Sequence, residues 1–173
     1  MRTWTLTLVA ALVLGAGAAQ PASAAEKAGK TETLDRTGAA ERNGLIGKWS
    51  IVEAAPGPWV RSKERSTLVE QGRKLVATEV TFEPGAIVST NQGLACKRAM
   101  YQVGTYPTDA LFRGLLPDGS QDRIARDLGL TKAGADVPSV DVDCAGGYFT
   151  YHFRDRNTAL FAWDDVIYTL KRR

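Results

Sequence analysis

The sequence predicts an all-β domain: a single antiparallel up-and-down β-barrel of about eight strands with one short helix, the alternative arrangement being a β-sandwich. Three observations carry this. From Gly44 onward, short apolar runs are separated by turn residues. After Val140 the chain alternates apolar and polar residues through successive segments joined by very short turns. Only Ser120–Leu128 carries firm helical punctuation. An antiparallel sheet of this length must stack or curl to bury its apolar face, and closure removes exposed edges.

The elements follow in order. Leu45–Ala54 reads as a first strand, stopped by Pro56-Gly57-Pro58. Pro56–Arg73 is too long for a hairpin connection, with Thr67-Leu68-Val69 suggesting a short helical turn inside it. Lys74–Phe82 places Val76, Thr78, Val80 and Phe82 on one face, which predicts a half-buried strand. Glu83-Pro84-Gly85 turns the chain into a strand at Ala86–Thr90. Asn91-Gln92-Gly93 then turns it into a longer strand at Ala95–Tyr106. Pro117-Asp118-Gly119-Ser120 leads to a helix N-cap, Ile124, Ala125 and Leu128 lie at helical spacing, and Gly129 is the expected stop. Four strands complete the domain. Gly146-Gly147, Asp155-Arg156-Asn157 and Asp164-Asp165 supply the turns between them.

Residues 1–24 read as a secretory signal peptide: Arg2 is the basic start, Trp4–Ala19 the apolar run and Ala22-Ser23-Ala24 the cleavage site. The run is shorter than the roughly 20 residues of a spanning helix. No membrane span is expected after processing, and no cysteine stands at the cleavage point to take a lipid. Residues 25–43 alternate in charge with Leu34 as the one large apolar residue, the composition of a flexible leader. Residues 44–173 then form the barrel domain, and the expected location is periplasmic or secreted.

The net charge of +3 falls by one when Arg2 is removed, and both signs are mixed along the chain. That argues against a dedicated nucleic-acid binder. Two cysteines, Cys96 and Cys144, stand in strand-like contexts. In an oxidising compartment they predict one disulfide, whose loop of 48 residues constrains the unfolded chain by about 4 kcal/mol. They form no C-x-x-C, and the chain has one histidine, so no common zinc set is available and no metal or other cofactor is expected.

Gly47-Lys48-Trp49 at the start of the first strand resembles the G-x-W that opens lipocalins, and Arg172 in the last strand is placed like the basic residue that covers the lipocalin tryptophan. The chain is thus similar to an exported bacterial lipocalin-like (calycin) barrel. That resemblance implies a structural Trp49–Arg172 pair closing one barrel end by cation–π stacking, and an interior able to hold one small ligand.

Candidates for chemistry are few. His152 is out of phase with Phe149, Tyr151 and Phe153, which predicts an outward, surface imidazole; a haem-ligand role requires an inward one. Asp141 and Asp143 share one strand face and are explained by solvent. Asp164-Asp165 is explained by its turn. No G-x-S-x-G, H-E-x-x-H, phosphate-cradling glycine loop or cysteine–histidine set is present, so no catalytic residue is assigned and the expected protein is not an enzyme. Trp59, in the long connection, is expected to plug a barrel end or to lie on a flap over its mouth. Ligand contact is assigned to Trp59, Tyr101, Phe149, Tyr151 and Phe153. The expected function is non-enzymatic binding of a small apolar or amphipathic ligand. The alternative is a periplasmic inhibitor or immunity-type protein that contacts another envelope protein, for which a packed interior is the distinguishing feature.

Overall fold

The computed structural model describes residues 44–132 and 134–173; the expected signal peptide and leader lie outside them. Eight antiparallel strands form one curled half-barrel sheet: β1 (Gly47–Pro56), β2 (Glu79–Glu83), β3 (Ala86–Ser89), β4 (Met100–Tyr106), β5 (Val137–Cys144), β6 (Gly147–Asp155), β7 (Thr158–Trp163) and β8 (Val166–Arg172). The order β3-β2-β1-β8-β7-β6-β5-β4 is that of an up-and-down barrel, with first and last strands paired.

The turns are those the residues demand. Asp164 and Asp165 both adopt positive φ (47° and 63°), the backbone of a two-residue hairpin turn that aspartate tolerates. Ala145-Gly146 and Arg156-Asn157 serve the two preceding hairpins. At Gly47 φ is +129°, and a Cβ there would stand 2.7 Å from Arg172 Nη1. Glycine is favoured at that position by the backbone, and a side chain there would also displace the tip of Arg172.

The edges β3 and β4 meet without a ladder. Ile87 and Cys96 exchange backbone hydrogen bonds of 2.7 and 2.8 Å, and Ala99 N–H donates to the Gly85 carbonyl at 2.8 Å. The Tyr101 hydroxyl lies 2.9 and 2.8 Å from the Glu83 and Ala86 carbonyls and donates between them. The Cys96–Cys144 disulfide, with a Cα separation of 5.9 Å, ties this seam to the end of β5. The expected long strand at Ala95–Tyr106 is consequently shorter. Its first residues are used in turns and in this bridge.

Two further expectations are corrected. Lys74–Ala77 is not strand: it continues α1 (Arg65–Arg73) in tight turns, and Ala77 has φ of 70°. Local i→i+3 hydrogen bonds outcompete a ladder that only Glu79–Glu83 can join. The long connection holds a nine-residue helix and not a single turn, preceded by a 3-10 turn at Ser62–Glu64. The second helix, α2 (Gln121–Asp127), is where helical spacing placed it. It ends as expected at Gly129 (φ +71°), with Leu130 N–H donating to Ala125 and Gly129 N–H to Arg126, a Schellman stop. Ser120 occupies the N-cap position, although its side chain makes no capping bond.

The sheet buries both faces. Trp49, Ile51, Phe82, Tyr101, Val140, Val142, Tyr151, Phe161 and Leu170 fill the concave side. On the convex side, Thr108–Leu130 lies over β5–β8 and buries Leu111, Phe112, Leu116, Ile124 and Ala125 against Val137, Leu160 and Ile167. A β-bulge at Val52 shifts the phase of β1, so that Ile51 and Ala54 both face inward.

Candidate functional site

The concave core is built from interlocking rings. Phe82 and Tyr151 meet edge-on at 5.1 Å between centroids, Tyr151 and Phe161 lie 5.2 Å apart, and Phe161 stacks on Tyr168 at 5.2 Å. Such aromatic pairs add to the stabilisation from burial itself. Burial also pushes the hydroxyls of Tyr101 and Tyr151 well above the ordinary phenol range. At one end the Arg172 guanidinium carbon sits 4.4 Å over the Trp49 ring, while Nη1 donates to the Ile46 carbonyl at 3.0 Å. The Trp49 indole N–H is satisfied by the Leu45 carbonyl at 2.7 Å. At the other end α1 approaches β1 and β8 through Gly72, where a Cβ would stand 2.9 Å from Ala54 Cβ.

The residues singled out for ligand contact are therefore divided. Tyr101, Tyr151 and Phe153 are buried in the concave core. Phe149 is half-buried at its margin, against Phe161 and Trp163. Trp59 does not plug the barrel. It packs on the convex layer, 5.9 Å from Phe112, with its indole N–H donating to Asp165 Oδ1 at 2.8 Å.

His152 corrects the sequence reading in one respect. Its side chain is out of phase with the core aromatics, as expected, yet it is 1 % exposed because the convex layer covers it. Nε2 accepts the Phe112 backbone N–H at 3.0 Å, and Nδ1 lies 2.8 Å from Ser139 Oγ. Ser139 Oγ in turn donates to the Val137 carbonyl at 3.1 Å, so Nδ1–H is the donor to the serine. Burial lowers the imidazole to about 4, opposed by the Asp141 charge, and the ring is neutral at pH 7. Phe112, Arg113 and Gly114 all have positive φ. Two non-glycine residues in that region are costly, and the His152 bond is what holds the first of them.

Asp141 is likewise buried and not solvated. Tyr106 donates to its Oδ2 and Thr150 to its Oδ1, the latter at 2.7 Å. The hydrogen bond to Asp141 is the leading cause that raises the Tyr106 hydroxyl. Asp143 remains exposed. A signal for this second layer was present in β7: Thr158–Trp163 has few polar side chains to present outward, the mark of a strand covered on both faces.

Among the grooves outside the concave core, two are lined by residues of the convex layer. The larger, of about 690 Å³, runs over the convex face of β1 and β6–β8 between the α1 and α2 sides. Leu160, Ile167, Ile124 and Leu128 give it apolar walls, and Pro56, Pro58 and Pro117 border it. Arg65, Arg123 and Arg154 line it against Glu53 and Asp127, a surplus of positive charge. Arg154 spends Nε on the Leu128 carbonyl at 2.9 Å, and its terminal amino groups have no further partner among the described residues. The second groove, of about 330 Å³, contains Trp59, Tyr148, Phe149 and Trp163 with Asp164 and Asp165. Among the described residues no group of three His, Cys, Asp or Glu side chains is arranged to hold a metal ion.

No family model matches the chain, and neither does any curated protein or solved structure. The disulfide fits an oxidising compartment, and among the described residues no helix is long and apolar enough to cross a membrane.

Proposed function

We propose that this chain is an exported, non-enzymatic binding protein, periplasmic or secreted, whose lipocalin-like scaffold holds a small amphipathic molecule on its convex face. The observation that carries this reading is the larger groove, with an apolar floor of sheet residues and three arginines on its walls. Its volume falls in the range of ligand sites, and its chemistry suits an apolar body with an anionic head. The aromatic filling of the concave side directs the ligand away from the barrel interior, the place the resemblance first suggested.

Calorimetric titration with decanoate, with decanol as the uncharged counterpart, tests the reading. Saturable decanoate binding is expected, about tenfold tighter than decanol, since one charge-assisted contact contributes at least 1.4 kcal/mol. Arg123→Gln should weaken decanoate severalfold while leaving the fold intact, because Arg123 is 64 % exposed and its ion pair among the described residues is with Asp127 one helical turn away. Absence of saturation, or equal binding of the two compounds unaffected by Arg123→Gln, overturns the reading.

The packed interior favours a second reading, an inhibitor or immunity-type protein working through protein contact. Native mass spectrometry of the protein from its own envelope fraction separates the two. A retained small molecule supports the first reading, and a co-purifying exported protein supports the second.

A further inference from the structure

The smaller groove has a different chemistry from the larger. Three parts of the chain converge on it. Trp59 comes from the connection after β1, Tyr148 and Phe149 from the start of β6, and Trp163 with Asp164 and Asp165 from the β7–β8 turn. The indole of Trp59 is held in place by its bond to Asp165 Oδ1 at 2.8 Å. The Trp163 ring stands edge-on to Phe149, 5.9 Å between centroids at 81°.

Arg113 is the cation among the lining residues, and it forms no ion pair among the described residues. Among the described residues the ion pairs are Arg73–Glu70, Arg123–Asp127 and Arg173–Glu79, so neither Asp164 nor Asp165 has a basic partner. The cation–π contact among those residues is Arg172 over Trp49, at the barrel end, and neither Trp59 nor Trp163 takes part in one. The groove thus joins aromatic rings to two carboxylates that have no ion-pair partner among the described residues.

We infer that this groove is a binding site for a small organic ammonium cation, held between the Trp59 and Trp163 side of the groove and the Asp164–Asp165 turn. Ring quadrupoles attract a cation in proportion to how readily it sheds water. Alkylated ammonium groups shed it easily, whereas hard metal ions keep their water or demand several oxygen ligands. The carboxylates add a Coulomb term that a neutral molecule of the same shape does not receive. The volume of about 330 Å³ admits a small ligand and not a folded segment. Arg113 lines the same groove and is the opposing term, since its charge repels the proposed occupant.

The test uses the oxidised full chain and tetramethylammonium chloride, followed by tryptophan fluorescence. Sodium chloride at matched ionic strength and tert-butanol, a neutral analogue of the same shape, are the controls. The expected result is a saturable change with tetramethylammonium, none with sodium chloride, and tert-butanol binding about tenfold more weakly or not at all. Asp164→Asn should weaken tetramethylammonium by roughly 3- to 10-fold, and asparagine suits the positive φ of that turn. Arg113→Gln should tighten it by a similar factor. Unchanged melting curves show that these variants are folded. A response equal to that of sodium chloride or tert-butanol overturns the assignment, as does an affinity indifferent to both substitutions. Decanoate binding in the other groove is not involved in any of these outcomes.

Discussion

The two sides of the sheet are buried by different physics. The concave side is filled by side chains at alternating strand positions, almost all apolar or aromatic, with ring contacts of 5–6 Å. The convex side is covered by an irregular segment, Thr108–Leu130, that includes residues in left-handed backbone conformation. There, buried polar groups perform the alignment: His152 receives the Phe112 N–H, Ser139 receives the imidazole proton, and Thr108 donates to Asp122. Apolar packing is non-directional and suffices where a regular ladder already sets the register. A loop without a ladder needs directional bonds to select one conformation.

The largest effect expected from breaking this comparison is on the concave side. Trp49→Ala removes a fully buried indole and should cost roughly 3–5 kcal/mol in urea unfolding. Replacing Cys96 and Cys144 together by alanine should cost about 4 kcal/mol on the chain-entropy account for a 48-residue loop. That loss should appear as a lower midpoint with the seam between β3 and β4 exchanging amide protons faster. Retained stability in the double variant would show that the seam's hydrogen bonds alone hold the edges together.

The convex side should respond to acid. Burial lowers His152 from the ordinary imidazole value of 6.5 to about 4 in the folded chain, so the unfolded state takes up the proton first. The contribution is fully present above pH 6.5 and is lost as pH falls from 6.5 towards 4, about 3 kcal/mol in all. Urea midpoints measured across that window should show the slope in the native chain and in Trp49→Ala. In His152→Gln the part of the slope due to His152 should vanish; its persistence unchanged would assign the acid response to another group.

The smallest effect sharpens the contact between α1 and the sheet. Alanine at Gly72 gains up to about 1 kcal/mol of helix propensity. Its Cβ, however, would meet Ala54 Cβ at 2.9 Å and Val166 Cγ1 at 3.0 Å, and Ala54 cannot rotate away. Overpacking of this kind costs about 1–3 kcal/mol, so a net loss of about 1 kcal/mol is expected in thermal unfolding. A gain would show that α1 rides loosely on the barrel end.

The elements were legible to different degrees, for reasons visible in single residues. Val140–Arg172 reads as a meander because strict alternation and two-residue turns are local properties, and all four strands stand where that pattern puts them. Gly129 was readable as a helix stop because positive φ after a helix is a local need. Lys74–Ala77 was misread because its alternation continues that of the genuine strand, while the deciding hydrogen bonds, such as Ala77 N–H to the Ile51 carbonyl, come from elsewhere. Trp59 was read as a barrel plug or a flap residue, because the partners that place it on the convex layer, Phe112 and Asp165, lie 53 and 106 positions away in sequence.

What the residue order determined by itself was the antiparallel strands and their turns, because periodicity and turn conformation are written in short windows. The cysteine pair followed from there being two cysteines in an expected oxidising compartment, and the Trp49–Arg172 pair was implied by a family resemblance. Only the tertiary structure decided that His152 and Asp141 are buried and that the open grooves lie outside the barrel. Strand alternation distinguishes one face from the other, but exposure of either face depends on what the rest of the chain lays over it. Here Thr108–Leu130 folds back onto β5–β8, and that long-range burial turns an outward polar row into an interior hydrogen-bond network.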